Sequence, residues 1–229
     1  MLAETRALRD DMARSVVDKM AEWRGDHLVQ ESAHFEGDGV LRAGASRFRP
    51  RATIIATGSR PDVPQGWKER FGDRVLTSDD IFELKDLPGR MAVVGLGPIG
   101  LELGQALARL GGEVTAFDPR PRLGGLSHPD LCGTLREMLA GEMRIVAARA
   151  DPHPGRNGAI AMRWEDGETE VDAILVAMGR TPALGGLGLE TLDPRLSPGE
   201  RPDLAQGQLN LQGTRLYFAG DAGAGPPLL

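Results

Sequence analysis

Residues 91–118 read MAVVGLGPIGLELGQALARLGGEVTAFD. The apolar run Met91–Val94 predicts a buried strand. Three glycines follow, Gly95, Gly97 and Gly100, with Leu96, Pro98 and Ile99 between them. From Pro98 onward, Ile99, Leu103, Ala106, Leu107 and Leu110 recur at helical spacing and form one apolar stripe. Pro98 fits the first turn, where the N–H it lacks has no intrahelical acceptor. Gly111 and Gly112 end the helix, and EVTAFD predicts the next strand, closing on Asp118.

Strand, glycine turn, helix and second strand make a βαβ unit in which each glycine has a physical task. Gly95 permits the sharp turn. Gly97 leaves no Cβ between the backbone and a bound diphosphate, and Gly100 lets the helix pack close to the strand. The helix start then turns its free N–H groups and positive dipole end toward phosphate oxygens. A carboxylate about 20 residues further on is suited to grip the adenosine ribose, and Asp118 stands there. The unit therefore reads as a dinucleotide site. Asp118 favours NAD, because a carboxylate repels a 2′-phosphate. Arg120 and Arg122 follow in DPRPR and keep NADP open, since guanidinium groups bind phosphate well.

Outward from this unit, residues 2–23 place Leu8, Met12, Val16, Met20 and Trp23 on one face of a helix. LVQESAHF and VLRAGASRF predict two strands joined at Asp38-Gly39, a dipeptide suited to a two-residue hairpin turn. ATIIATG (52–58) reads as a strand buried on both faces. A polar connection spans 59–89. PDLCGTLREMLAGE predicts a helix and MRIVAA a strand. IAMRW and TEVDAILVAMG predict strands meeting at Asp166-Gly167, and LYF another near the end, followed by a glycine-rich loop.

The bulk composition narrows the classes. With 229 residues, 41% hydrophobic and 31 glycines, the chain suits an α/β protein with many tight turns. A net charge of −6 argues against a surface that coats nucleic acid. No apolar run reaches the roughly 20 residues a bilayer requires. The charged N-terminus lacks the apolar core of a secretory signal. With one cysteine, Cys132, no internal disulfide forms, and a cytoplasmic protein is expected. His27, His34, His128 and His153 are scattered without metal or triad spacing, so no metal site is expected.

Four stretches in register, ATGSRPDVP, TSDDIFELKDLPGRMAVVGLGPIGLELGQALARLG, VAMGRTPAL and YFAGDAG, resemble the pyridine nucleotide-disulfide oxidoreductases. Within them the likeness is nearest to dihydrolipoamide dehydrogenase and its mercuric- and glutathione-reductase relatives, and it covers most of 27–229. The resemblance implies a Rossmann-like NAD(P) domain of parallel sheet, helices and a β-hairpin, inserted in an FAD domain. The boundaries it suggests are 1–88 for a partial FAD segment, 89–182 for the NAD(P) domain and 183–229 for the return to the FAD domain. It implies roles by position. Gly95, Gly97 and Gly100 match the NAD(P) turn, and Glu102 the glutamate beside nicotinamide and flavin. Ala177, Gly179 and Arg180 match the segment closing the NAD(P) site. Thr57 and Gly58 match the crossing back to the FAD domain, and Asp221 the aspartate that holds the FAD ribityl chain. Ala33 and His34 fall where the family meets the adenine of FAD. Pro98 departs from the usual tyrosine or valine, so no side-chain lid over the flavin is implied.

The family's FAD-diphosphate glycines, its CxxxxC redox pair and its His-Glu pair have no counterpart in the sequence, which is expected to be the central piece of such an enzyme. No catalytic residue is assigned. The chain by itself is expected to bind NAD(H) and to hold FAD poorly. The resemblance implies hydride transfer between nicotinamide and FAD in the longer protein. A stand-alone NAD-binding module, and a subunit whose partner chain supplies the missing FAD half, are the other readings. A homodimer is implied for the full-length family.

Overall fold

The computed structural model describes residues 2–23, 25, 27–196, 202–204 and 208–223. Helix α1 (Leu2–Lys19) and a 3-10 turn open the chain. Strands β1 (Ala33–Gly37), β2 (Val40–Ala43), β3 (Ser46–Phe48), β4 (Thr53–Ile55) and β5 (Ser59–Pro61) follow. Next come α2 (Trp67–Phe71), β6 (Val75–Leu76), β7 (Arg90–Val94), α3 (Pro98–Arg109), β8 (Glu113–Phe117), α4 (Pro129–Leu139) and β9 (Arg144–Val146). The last strands are β10 (Asp151–Pro154), β11 (Ile160–Trp164), β12 (Gly167–Val171), β13 (Ala173–Val176), β14 (Arg180–Pro182) and β15 (Leu216–Phe218).

The chain divides into two compact units, one of residues 1–10 and 61–179, the other of 11–60 and 180–229. The first unit is built on a five-stranded parallel sheet in the order β6-β13-β7-β8-β9. Both faces of this sheet are covered, as the continuous apolar run of β7 requires. Met91 and Val93 point into a core with Leu107 of α3 and Leu139 of α4. Ala92 and Val94 point the other way, into a core with Trp67, Ile160 and Met162. That second face is closed by the antiparallel sheet β10-β11-β12, which adds a third strand to the expected hairpin. Cys132 is buried among the apolar side chains of the first core.

TEVDAILVAMG is divided between two sheets. β12 belongs to the antiparallel sheet and β13 to the parallel one, with the break at Asp172. Its carboxylate accepts the Arg90 backbone N–H at 2.9 Å and the Arg90 guanidinium at 2.6 Å, tying the starts of β7 and β13 together. The turn before β12 also differs from expectation. Gly167 pairs with Trp164, so the loop is Glu165-Asp166, and neither residue has positive φ. Gly167 is needed for space instead: a Cβ there would press on the Trp164 ring, 2.7 Å from its nearest carbon.

In the second unit, Asp38 and Gly39 both take positive φ, 48° and 70°, and form the expected hairpin turn between β1 and β2. VLRAGASRF folds back once more at Gly44 (φ 56°), giving β2 and β3 in place of one strand. ATIIATG supplies only the three-residue β4, paired in parallel with β15. Ile55 is buried with Phe35, Leu189 and Phe218, but Ile54 is 71% exposed. The expectation of burial on both faces fails because, among the described residues, nothing covers the outer side of this two-stranded sheet. The glycine-rich end of the chain, 224–229, lies outside the described residues.

The predicted apolar face of α1 is equally uncovered: Leu8, Met12, Val16, Met20 and Trp23 are all exposed. The start of α1 is held by polar contacts, Arg6 to the Leu84 carbonyl and Arg9 to Glu83. Among the described residues no helix is long and apolar enough to cross a membrane.

Candidate functional site

The carboxyl ends of β7, β8 and β13 meet at one corner of the parallel sheet, where open α/β sheets bind ligands. Gly95 follows β7, Asp118 follows β8 and Ala177 follows β13. The Gly95 N–H donates to the Phe117 carbonyl at 2.9 Å, and the Ala177 N–H donates to the Val94 carbonyl at 2.8 Å. Gly95 takes φ 96°, which side chains resist, and a Cβ there would overlap the Ala177 carbonyl. A Cβ on Gly100 would overlap the Gly95 carbonyl oxygen and sit 3.0 Å from the Ala177 Cβ. These two glycines are therefore dictated by packing within the turn.

Gly97 is different. It is the N-cap of α3, with Pro98 in the first turn, and a Cβ built on it meets nothing within 4 Å. The side facing away from the chain is open space above the helix start. Leu96 is buried in the core, Ile99 is half-buried, and Glu102 is exposed on α3.

Asp118 lies against this turn with its side chain only 3% exposed. One oxygen, Oδ2, accepts the Leu96 backbone N–H and an Arg120 guanidinium N–H, both at 2.7 Å. The other, Oδ1, accepts the Arg120 backbone N–H and Nε–H, both at 2.9 Å. Burial alone would push this carboxyl up. The Arg120 guanidinium and the two backbone N–H groups outweigh burial and hold it below the usual carboxylate range. The loop after β8 is drawn to the turn by a bond from Gly124 N–H to the Leu96 carbonyl at 2.8 Å. A cavity of about 440 Å³ opens there, lined by Leu96, Gly97, Pro98, Arg120, Arg122 and Gly125 among others.

Asp118→Ala would leave the Leu96 N–H without its acceptor. We expect a loss of about 2 kcal/mol, read as a lower urea midpoint at neutral pH. Because the folded carboxyl lies below its unfolded value, its stabilisation is present above about pH 4 and lost as pH falls through the folded value. The stability curves of wild type and variant should therefore converge on acidification below about pH 4.

Two of the other residues singled out in the sequence, Arg180 and Asp221, meet in a second cluster, within the second unit. The Ser59 hydroxyl donates to Asp221 Oδ2 at 2.7 Å, and Arg180 donates to the Ser59 hydroxyl at 2.7 Å and to its carbonyl at 3.0 Å. Arg180 and Asp221 approach to 3.9 Å, both mostly buried. Gly58, at φ 70°, accepts the Ala183 N–H at 2.9 Å, while Thr57 is exposed. Three separate motifs thus converge on Ser59, a residue the sequence reading did not single out. Its place directly after ATG was the available signal. In the first unit, Gly179 takes φ 138° and its carbonyl accepts the Asp62 N–H at 3.0 Å. His34 lies on β1, half-buried, beside Ala33. Among the described residues no group of His, Cys, Asp and Glu is arranged to hold a metal ion.

The family model described as pyridine nucleotide-disulphide oxidoreductase matches residues 9–222. The chain belongs to this family. Among curated members, a mercuric reductase of Staphylococcus aureus is 30% identical over 219 residues, covering 92% of this chain and 39% of that protein. A protein named dihydrolipoyl dehydrogenase 3, from Pseudomonas aeruginosa, is 32% identical over 220 residues, covering 86% and 44%. The chain thus spans less than half the length of either relative. Among solved structures, a Cu(II) complex of the HOCl-induced flavoprotein disulfide reductase RclA from Escherichia coli superposes with a TM-score of 0.85 over 99% of this chain and 52% of its own. At 20% identity that likeness establishes the fold of the flavoprotein disulfide reductases and no more. This pyridine nucleotide-disulphide oxidoreductase chain therefore carries the mixed α/β fold that its glycine turn implies.

Proposed function

We propose that this chain binds a nicotinamide dinucleotide at the β7–α3 corner and belongs to a longer flavin-dependent oxidoreductase resembling dihydrolipoyl dehydrogenase. The observation that carries the proposal is the contrast among the three glycines. Gly95 and Gly100 are required by contacts within the turn, whereas Gly97 is flanked by open space. A bare Cα at the start of a helix, with no protein atom nearby to demand it, suits a diphosphate lying on the backbone. The N–H groups of the first turn of α3 would donate to its oxygens. The domain division follows the same reading, with 89–182 as the NAD(P) segment between the flavin-side segments 1–88 and 183–229.

On the flavin side, Asp221, Thr57 and Gly58 would meet FAD, and Ser59 with Arg180 would hold the Asp221 carboxylate in place. When both cofactors are bound, they supply the hydride chemistry, passing it between nicotinamide and flavin. The chain's own part is to bind, orient and exclude water. The uncovered face of β4 and β15, with Ile54 and Tyr217 exposed in register, supports further polypeptide packing there. A longer form of this chain or a partner chain would serve, and a homodimer is proposed for the whole enzyme.

The test is a fluorescence titration of the purified chain with NADH and NADPH, run separately, with and without added FAD, while dye reduction is followed. Saturable enhancement by at least one dinucleotide is expected. No enhancement by either would overturn the assignment. Dye reduction only in the presence of FAD would favour the oxidoreductase piece over a module that binds without chemistry.

A further inference from the structure

We infer that the β7–α3 corner prefers a dinucleotide with a 2′-phosphate on its adenosine ribose, NADP(H), over NAD(H), and that Arg120 sets the preference by occupying Asp118. The inference rests on the dinucleotide reading above. A strand-end carboxylate selects NAD only when it can accept from the ribose hydroxyls and repel the added phosphate. Asp118 is not free to do either. An ionised carboxylate offers about four acceptor sites, and Asp118 receives four hydrogen bonds, three from Arg120 and one from the Leu96 N–H. Its side chain is 3% exposed, and its charge is neutralised by the guanidinium lying against it.

The cation of this pair faces the other way. The Arg120 side chain is 60% exposed and lines the cavity beside Gly97 and Pro98. Of the guanidinium's five N–H donors, two are committed to Asp118, one from Nε and one from Nη2. The Nη1 edge is available to a ligand. Arg122 lines the same cavity and is also exposed. Among the described residues this lining carries two guanidinium groups and no carboxylate. The corner therefore presents net positive charge, added to the positive end of α3, where a 2′-phosphate would bring about two negative charges.

Asp118 thus becomes a positioning residue: it holds Arg120 at the cavity mouth and pins the glycine turn through Leu96. The arginine also removes the one group that would have selected against phosphate. Neither effect is visible in the residue types alone, since an acid followed by arginines fits both cofactors.

The test uses the whole chain and separate fluorescence titrations with NADH and NADPH. Wild type is expected to bind NADPH about tenfold more tightly, the size of one charge-assisted hydrogen bond. Arg120→Ala should lower NADPH affinity and raise NADH affinity, because Asp118 regains lone pairs for the ribose hydroxyls. Arg122→Ala should lower NADPH affinity alone, since it leaves Asp118 and its partner in place. Circular dichroism melts of each variant report folding independently. Equal or tighter binding of NADH by wild type, or an NADPH/NADH ratio that Arg120→Ala leaves unchanged, would overturn this inference while the dinucleotide assignment stands. Binding of neither cofactor by folded wild type would overturn both.

Discussion

Gly97→Ala is expected to weaken dinucleotide binding by about 100-fold, or about 2.7 kcal/mol, while leaving the fold intact. The added methyl group meets no protein atom within 4 Å. Gly97 has φ −66° and ψ −176°, a conformation open to any residue. At an N-cap, alanine is poorer than glycine, but the difference is no more than about 1 kcal/mol. The same methyl group would stand where the diphosphate approaches the helix start. It would push the phosphates off the free N–H groups, whose charge-assisted bonds are each worth about 1.5–3 kcal/mol. Fluorescence titration gives the affinity and a thermal melt gives the stability. A variant that binds like wild type would show that nothing lies against Gly97, and the corner would lose its assigned role.

Gly100→Ala should do the reverse. Its Cβ would overlap the Gly95 carbonyl oxygen, which belongs to the backbone of a turn already held at φ 96°. Nothing flexible can move aside: the other near neighbour is the Ala177 Cβ at 3.0 Å, at the end of a fully buried strand. Helix α3 would have to move off β7 and disturb Leu107 and its neighbours in the core. Overpacking of this kind costs about 3 kcal/mol or more. In a chain of this size that lowers the melting temperature by roughly 6–12 °C. The measurement is differential scanning calorimetry, and an unchanged melting temperature would refute the packing role. Two glycines three residues apart are thus separable, one by binding and one by stability. A generic glycine-rich turn would not divide in this way.

The same contrast shows how far the sequence could be read. The βαβ unit was legible because its residue types are forced locally: a positive φ at Gly95, a close approach at Gly100, an apolar stripe along α3. The family was legible because four motifs keep their order, and each marks a strand end or a turn. Asp38-Gly39 was legible for a like reason, since a two-residue turn with both φ positive admits few side chains. The dipeptide Asp166-Gly167 has the same letters and another meaning. There the glycine makes room for the ring of Trp164, its cross-strand partner three residues earlier, and supplies no positive φ to the turn.

What the amino-acid sequence determined unaided was the turn, the order of strands and helices around it, and the family to which they point. These follow from backbone conformation and hydrophobic period, which each residue carries with it. Only the tertiary structure decided what each side chain faces. It put Ile54 in solvent, because burial depends on what covers a strand. It brought Ser59, Arg180 and Asp221 together, although they are far apart in the chain. It turned Asp118 from an open carboxylate into a neutralised strut, because the path of the loop after β8, fixed by Gly124 on Leu96, lays the Arg120 guanidinium across it.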